Sequence, residues 1–279
     1  MANACGLSSN GRASSCVTTT LLSIAKPMNE LSLIVWIALA ASLGLGAAPV
    51  LHRVIARLPE RLATHWLREA REALALEADD TNDLTSPRPD PATFFLASLI
   101  ALLTSAASAI VMWKFGPTWQ AAAGLTLTWT LIMLTGIDLR TQLLPDLLTQ
   151  PLLWLGLLLS LKPLFISAPM AILGAAFGYG CLWSVSWLSK MLTGLDGMGQ
   201  GDLKLLAALG AWMGPLSLLP IGLMSALLGT MVNGALILLR RQGRNQPMPY
   251  GPYLAIAGWI WLIAGESLWR ILRSLAGMP

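Results

Sequence analysis

Residues 31–51 read LSLIVWIALAASLGLGAAPVL, with no charged side chain in the run. A hydrocarbon layer about 30 Å thick is crossed by roughly 20 apolar residues in a helix, so this stretch reads as a transmembrane helix. Comparable runs follow at about 94–112, 119–137, 147–161, 168–188, 203–214, 216–239 and 251–269. The run at 203–214 is short and ends at Gly214-Pro215, which leaves it as a short helix or as one arm of a re-entrant hairpin. Counted as a crossing, it brings the chain to eight spans. The expected fold is an all-α polytopic membrane protein.

The composition points the same way. Of the 279 residues, 55% are apolar and only 11% charged, with a mean hydropathy of +0.65, whereas soluble domains carry about 25% charged residues. The net charge of +4 is read as an orientation signal and not as a nucleic-acid surface, because membrane proteins place Lys and Arg on cytoplasmic loops. With the N-terminus outside, most of the 18 basic residues fall in inward regions. These regions hold Arg53, Arg57, Arg61, Arg68, Arg71 and Arg88, then Arg140, then Lys190 and Lys204, then Arg240, Arg241 and Arg244. The short outward loops hold Lys114 and Lys162.

Four regions are expected: an extension over 1–30, an N-terminal region over 31–115, a core over 116–239, and a last loop and helix over 240–279. Residues 1–27 are polar and rich in Ser and Thr and read as disordered and dispensable, with Met28 an alternative start. After the first span, Arg53, Arg57, Arg61, Arg68 and Arg71 recur near helical spacing with Leu58, Leu62 and Trp66 between them. That pattern is expected of an amphipathic helix on the cytoplasmic membrane surface. An acidic, Pro-containing loop follows it. Cys5, Cys16 and Cys181 form no CxxC pair, so neither a zinc site nor a disulfide framework is expected. His52 and His65 sit in or beside the basic stretch and read as surface residues.

Two carboxylates stand at the ends of apolar segments, Asp138 in LTGIDLRTQLLPD and Asp202 in GMGQGDLKLLAALGAW. A carboxylate at a bilayer boundary is costly without a partner or a job. The inferred topology puts both on the cytoplasmic side. Two carboxyls that approach closely share a proton and titrate as a pair, and one can then activate water while the other polarises a carbonyl. Taken alone, Asp202 reads equally well as a helix N-cap and Asp138 as a helix-terminal polar residue beside Arg140. Asp146, after Pro145, reads as an N-cap and as the alternative to Asp138. Gly197, Gly199 and Gly201 alternate before Asp202 and permit close backbone approaches. Asp196 reads as a solvated loop residue. Glu266 and Arg270, four apart, are expected to pair with each other.

Three blocks, IDLRTQLLPDLLTQPLLWLGLL, GMGQGDLKLLAALGAWMG and MPYGPYLAIAGW, resemble in order those of the type IV prepilin peptidases, membrane aspartic proteases of the GxGD class. The resemblance implies that Asp138 and Asp202 are the catalytic pair and that Asp146 is not catalytic. Gly199, Gly201, Asp146, Lys204, Pro249, Gly251 and Pro252, all within these blocks, are assigned to substrate binding or loop positioning. It further implies cleavage of the basic leader of type IV prepilins or type II secretion pseudopilins, after a glycine, at the cytoplasmic face of a bacterial inner membrane. Proteolysis of this kind needs no cofactor. Many relatives also N-methylate the new terminus with S-adenosylmethionine. Here GAAPVLHRVIARLP keeps the Arg-Leu-Pro end of their N-terminal region but loses its centre, and their two CxxC pairs are absent, so zinc is not expected. The competing readings are a peptidase without methyltransferase activity and a non-proteolytic transporter or assembly scaffold.

Overall fold

A computed structural model describes residues 30–73, 91–194, 199–239 and 249–275. The leading extension, the acidic loop, Asp196 and Gly197, and the arginines at 240, 241 and 244 lie outside these residues. The described residues form eight helices and no strand: α1 (Glu30–Ala73), α2 (Pro91–Phe115), α3 (Trp119–Thr141), α4 (Asp146–Leu159), α5 (Ala168–Thr193), α6 (Gln200–Met213), α7 (Pro215–Leu238) and α8 (Gly251–Leu275). Of these, α1, α2, α3, α5 and α7 are long and apolar enough to cross a bilayer. Their outward faces carry exposed Leu43, Leu102, Phe177, Trp183, Leu227 and Met231, as lipid contact requires. The chain is a multi-pass membrane protein.

The amphipathic segment expected after the first span is not a separate surface helix. It is the second half of α1, which runs unbroken for 44 residues through Pro49 and Pro59. Residues 52–73 are dominated by Leu, Ala, Arg and Glu and contain no glycine, so helix propensity carries the turn beyond the lipid. The first half of α1 lies along α2 and α3, joined through buried Leu51, Ile55, Ile100 and Ile137. Arg140 at the end of α3 donates to the Ile55 carbonyl at 3.4 Å.

Helix α6 resolves the ambiguity at 203–214. Its 14 residues span only about 21 Å at 1.5 Å per residue, too short for the lipid layer alone. It survives because Leu205–Trp212 are all buried by α4, α5, α7 and α8 packed around it. Its closest neighbour is α5, where a Cβ on Gly174 would collide with the Gly210 carbonyl and one on Gly178 would lie 2.7 Å from the Leu206 carbonyl. Small residues four apart allow such backbone contact between membrane helices. Trp212 donates to the Leu152 carbonyl at 2.8 Å, and Leu127, Leu131, Leu134, Leu205, Leu209, Ile221 and Leu254 complete the core.

At the far end of α8, Glu266 and Arg270 do not pair side chain to side chain. The Glu266 carboxylate is 3.6 Å from Lys114 Nζ, because the end of α2 presents a cation there. Arg270 instead donates to the Glu266 carbonyl at 3.4 Å and to Ser267 Oγ at 3.3 Å. His65 sits exposed beside Glu69 at 3.3 Å.

Candidate active site

The alternating helix directions bring the end of α3 and the starts of α4, α6 and α8 to one end of the bundle. Asp138 lies in the last turn of α3. That helix closes at Gln142, whose left-handed φ of 55° turns its N–H onto the Asp138 carbonyl at 2.8 Å. The following loop, 142–145, crosses in front of α6 and enters α4 at Asp146. Pro145 is the N-cap of α4 and makes no side-chain cap bond, so Asp146 does not cap the helix as expected. It occupies the first turn and faces sideways, where Lys204 Nζ reaches both of its oxygens at 2.6 and 2.7 Å.

Asp202 is likewise not an N-cap. Gly199 holds that position, and the Asp202 backbone N–H bonds to the Gly199 carbonyl at 3.1 Å. The Asp202 side chain is thereby free to turn inward. Asp138 is 4% exposed and Asp202 8%, and the two are near enough for the charge of one to act on the other. The Gly251 backbone lies against the Asp138 carboxyl, while among the described residues Asp138 Oδ2 and Asp202 Oδ1 are buried without a hydrogen-bond partner. Buried polar atoms are normally satisfied, so two such oxygens on residues that line one cleft mark it as the candidate site.

Glycine is required at two places around the pair. A Cβ on Gly251 would lie 2.7 Å from Asp138 Oδ2, and one on Gly201 would lie 2.6 Å from Leu144 Cβ. Gly199 has no such need, since a Cβ there would meet Asp202 Oδ2 at an ordinary 3.5 Å. Behind Gly251, Tyr250 shares a 2.6 Å hydrogen bond with Ser225 of α7. Burial pushes the Tyr250 phenol up from its ordinary value, with the Ser225 bond opposing and Asp202 adding to the rise.

The site opens into a cleft of about 510 Å³ lined by Asp138, Asp146, Gly199, Gly201, Asp202 and Lys204. Gly251 stands behind Asp138, Pro252 is buried in the first turn of α8, and neither they nor Pro249 line the cleft. Leu144 and Tyr250 were missed in the sequence because an apolar loop residue and a tyrosine beside Gly-Pro carry no chemical signature. Also missed was the cleft's remaining wall, made by Pro59, Leu62, Ala63 and Trp66 of α1. Its signal, Leu62 and Trp66 at fourfold spacing, was visible but read as lipid-facing. Among the described residues no cluster of three His, Cys, Asp or Glu side chains could hold a metal ion.

The profile of the type IV leader peptidase family matches residues 125–234, which include both aspartates. A prepilin leader peptidase/N-methyltransferase of Xanthomonas campestris pv. campestris is 41% identical over 262 residues, covering 82% of this chain and 91% of the relative. The chain belongs to the type IV leader peptidase family. A Pseudomonas aeruginosa protein of the same description is 43% identical over 269 residues, with 84% and 92% covered. One from Aeromonas hydrophila is 52% identical over 172 residues, 62% of this chain and 59% of its own length. No solved structure matches this member of the family.

Proposed function

We propose that this chain is a prepilin leader peptidase that uses Asp138 and Asp202 as its catalytic pair, at the cytoplasmic face of a bacterial inner membrane. The observation that carries the reading is the meeting of these two buried carboxyls, each with an oxygen that has no partner among the described residues, at the base of an open cleft. The family likeness supports the substrate class. One carboxylate removes a proton from water as the water oxygen attacks the scissile carbonyl carbon, and the other, protonated, gives its proton to the carbonyl oxygen. The tetrahedral gem-diol then collapses: one of its hydroxyls returns a proton to the second carboxylate as the C=O re-forms, the C–N bond breaks, and the proton held by the first carboxyl passes to the leaving amine. Chemistry of this kind needs one carboxyl ionised and one protonated, so activity falls toward both acid and alkaline pH.

We also propose that the new terminus is N-methylated with S-adenosylmethionine as donor, a reading supported by the names of the relatives. Zinc does not fit the described residues, and no step is assigned to it. Asp138→Asn or Asp202→Asn is expected to abolish cleavage of a co-expressed prepilin while the protein still accumulates in membranes. Mass spectrometry of the pilin N-terminus reads the cut and the added methyl group together. Retained cleavage in either variant overturns the assignment, and a cut but unmethylated pilin leaves the peptidase alone.

A further inference from the structure

The second half of α1 lies outside the stretch matched by the family profile, yet it forms one side of the cleft that holds both aspartates. Pro59, Leu62, Ala63 and Trp66 line that cleft. Their spacing of 0, 3, 4 and 7 places them on one face of the helix. Trp66 is 51% exposed and lies about 22 Å along the helix beyond Leu51, the end of the uncharged run at 31–51. By the 100° step of an α-helix, Arg57, Arg61 and Arg68 fall on the opposite face, and Arg57 and Arg61 border a separate groove with Arg53. The cleft is thus asymmetric in charge: its carboxyl groups and Lys204 all stand on the α3, α4 and α6 side, beside Ile137, Leu143 and Leu147, and the α1 side is an uncharged aliphatic and aromatic wall.

We propose that Leu62 and Trp66 form the specificity wall of the peptidase, against which the apolar residues C-terminal to the scissile bond lie. This rests on the reading of the protein as a prepilin peptidase. The occupant follows from charge and continuity. A basic leader finds no anionic partner on the stripe of Pro59, Leu62, Ala63 and Trp66, whereas the apolar segment after the cut matches it and must pass the carboxyl pair on its way to the lipid. An exposed tryptophan beside a cleft supplies a large contact area at low entropic cost, the property that makes aromatic residues dominant at binding surfaces. Leu62 and Trp66 therefore act on binding, and the carboxyl pair acts on the bond.

The test uses the full chain in lipid nanodiscs with a synthetic prepilin peptide that spans the leader, the cut and the first apolar residues. The double variant Leu62→Ala/Trp66→Ala is expected to raise KM about tenfold or more with little change in kcat, the signature of lost uniform binding, while Arg68→Ala leaves both unchanged. A photo-crosslinking phenylalanine analogue at position 66 is expected to trap the peptide on the C-terminal side of the cut, and the same probe at 68 is not. An unchanged KM together with cross-links from 66 only to lipid overturns the proposal and makes the stripe a membrane contact. Cleavage by the unaltered chain is read first, and its absence overturns the peptidase reading. The cross-link is read also in Asp202→Asn, so the wall is tested even where no bond is cut.

Discussion

One added methyl group is enough to probe the geometry at Gly251. Its backbone is not in the left-handed region, so alanine is tolerated by α8 itself, but the new Cβ would lie 2.7 Å from Asp138 Oδ2. The Asp138 carboxyl must then shift from the position it holds beside Gly251. Because an ångström of misplacement can cost about 100-fold in rate, Gly251→Ala is expected to lose cleavage to about that degree while accumulating normally. Gly222→Ala, in open space, serves as the control with full activity. Equal cleavage by both variants would mean that Asp138 need not hold this position. At this scale Asp138 and Asp202 were legible from the sequence as costly charges at the edges of apolar runs. Their separation from Asp146 was not legible from cost alone, since all three stand near helix ends, and the resemblance supplied that choice. The structure adds a physical difference: Asp138 and Asp202 are buried, whereas Asp146 is exposed and already paired with Lys204.

Between elements, the Asp146–Lys204 bridge ties the first turn of α4 to the first turn of α6, two residues beyond Asp202. The Asp146 side chain is 61% exposed, so the pair contributes about 1 kcal/mol or less to stability. Its value lies in register, because sliding α4 along α6 would carry Leu144 off Gly201 and open the loop beside the carboxyls. Lys204→Met and Asp146→Asn are each expected to lower kcat about tenfold through misplacement with almost unchanged melting. The exchange Asp146→Lys/Lys204→Asp is expected to restore part of the loss. Single variants with full kcat would reduce the bridge to a surface contact. The helices themselves were readable as apolar runs, but two features of their arrangement were not. Gly174 and Gly178 carry the α5–α6 crossing only because α6 lies opposite them, and the continuity of α1 depends on helix propensity in a stretch whose hydropathy signals an end. Amphipathic spacing shows that one face of a helix is covered, and it does not say by what.

For the molecule as a whole, the distribution of arginine and lysine predicts the orientation, and labelling can measure it. In a background with Cys5, Cys16 and Cys181 changed to Ser, a cysteine at exposed Arg68 and one at Trp119, 82% exposed, mark opposite ends of the bundle. A membrane-impermeant maleimide is expected to reach Trp119→Cys in spheroplasts and Arg68→Cys only in inverted vesicles. The reverse pattern would put the aspartates outside and remove the cytoplasmic reading of the site. The all-helical, multi-pass architecture was legible because long uncharged runs have no other stable state in lipid. The inward burial of α6 was not, since a segment of 14 apolar residues reads the same whether lipid or protein surrounds it.

The length of α1 has a mechanical side. At 44 residues it measures about 66 Å, so a hydrocarbon layer of about 30 Å grips one half and leaves the other as an arm reaching to Trp66. Helices answer a change in membrane thickness by tilting, and a tilt of the gripped half swings the arm across the mouth of the cleft. If α1 tilts as one rigid rod, lipid chain length is expected to act on the cleft, as a hand on a lever acts on its far end. In nanodiscs of graded acyl length, KM for the peptide is expected to pass through a minimum at the thickness that seats the arm. A flat response would mean that the tether from Arg140 to Ile55 clamps the pivot.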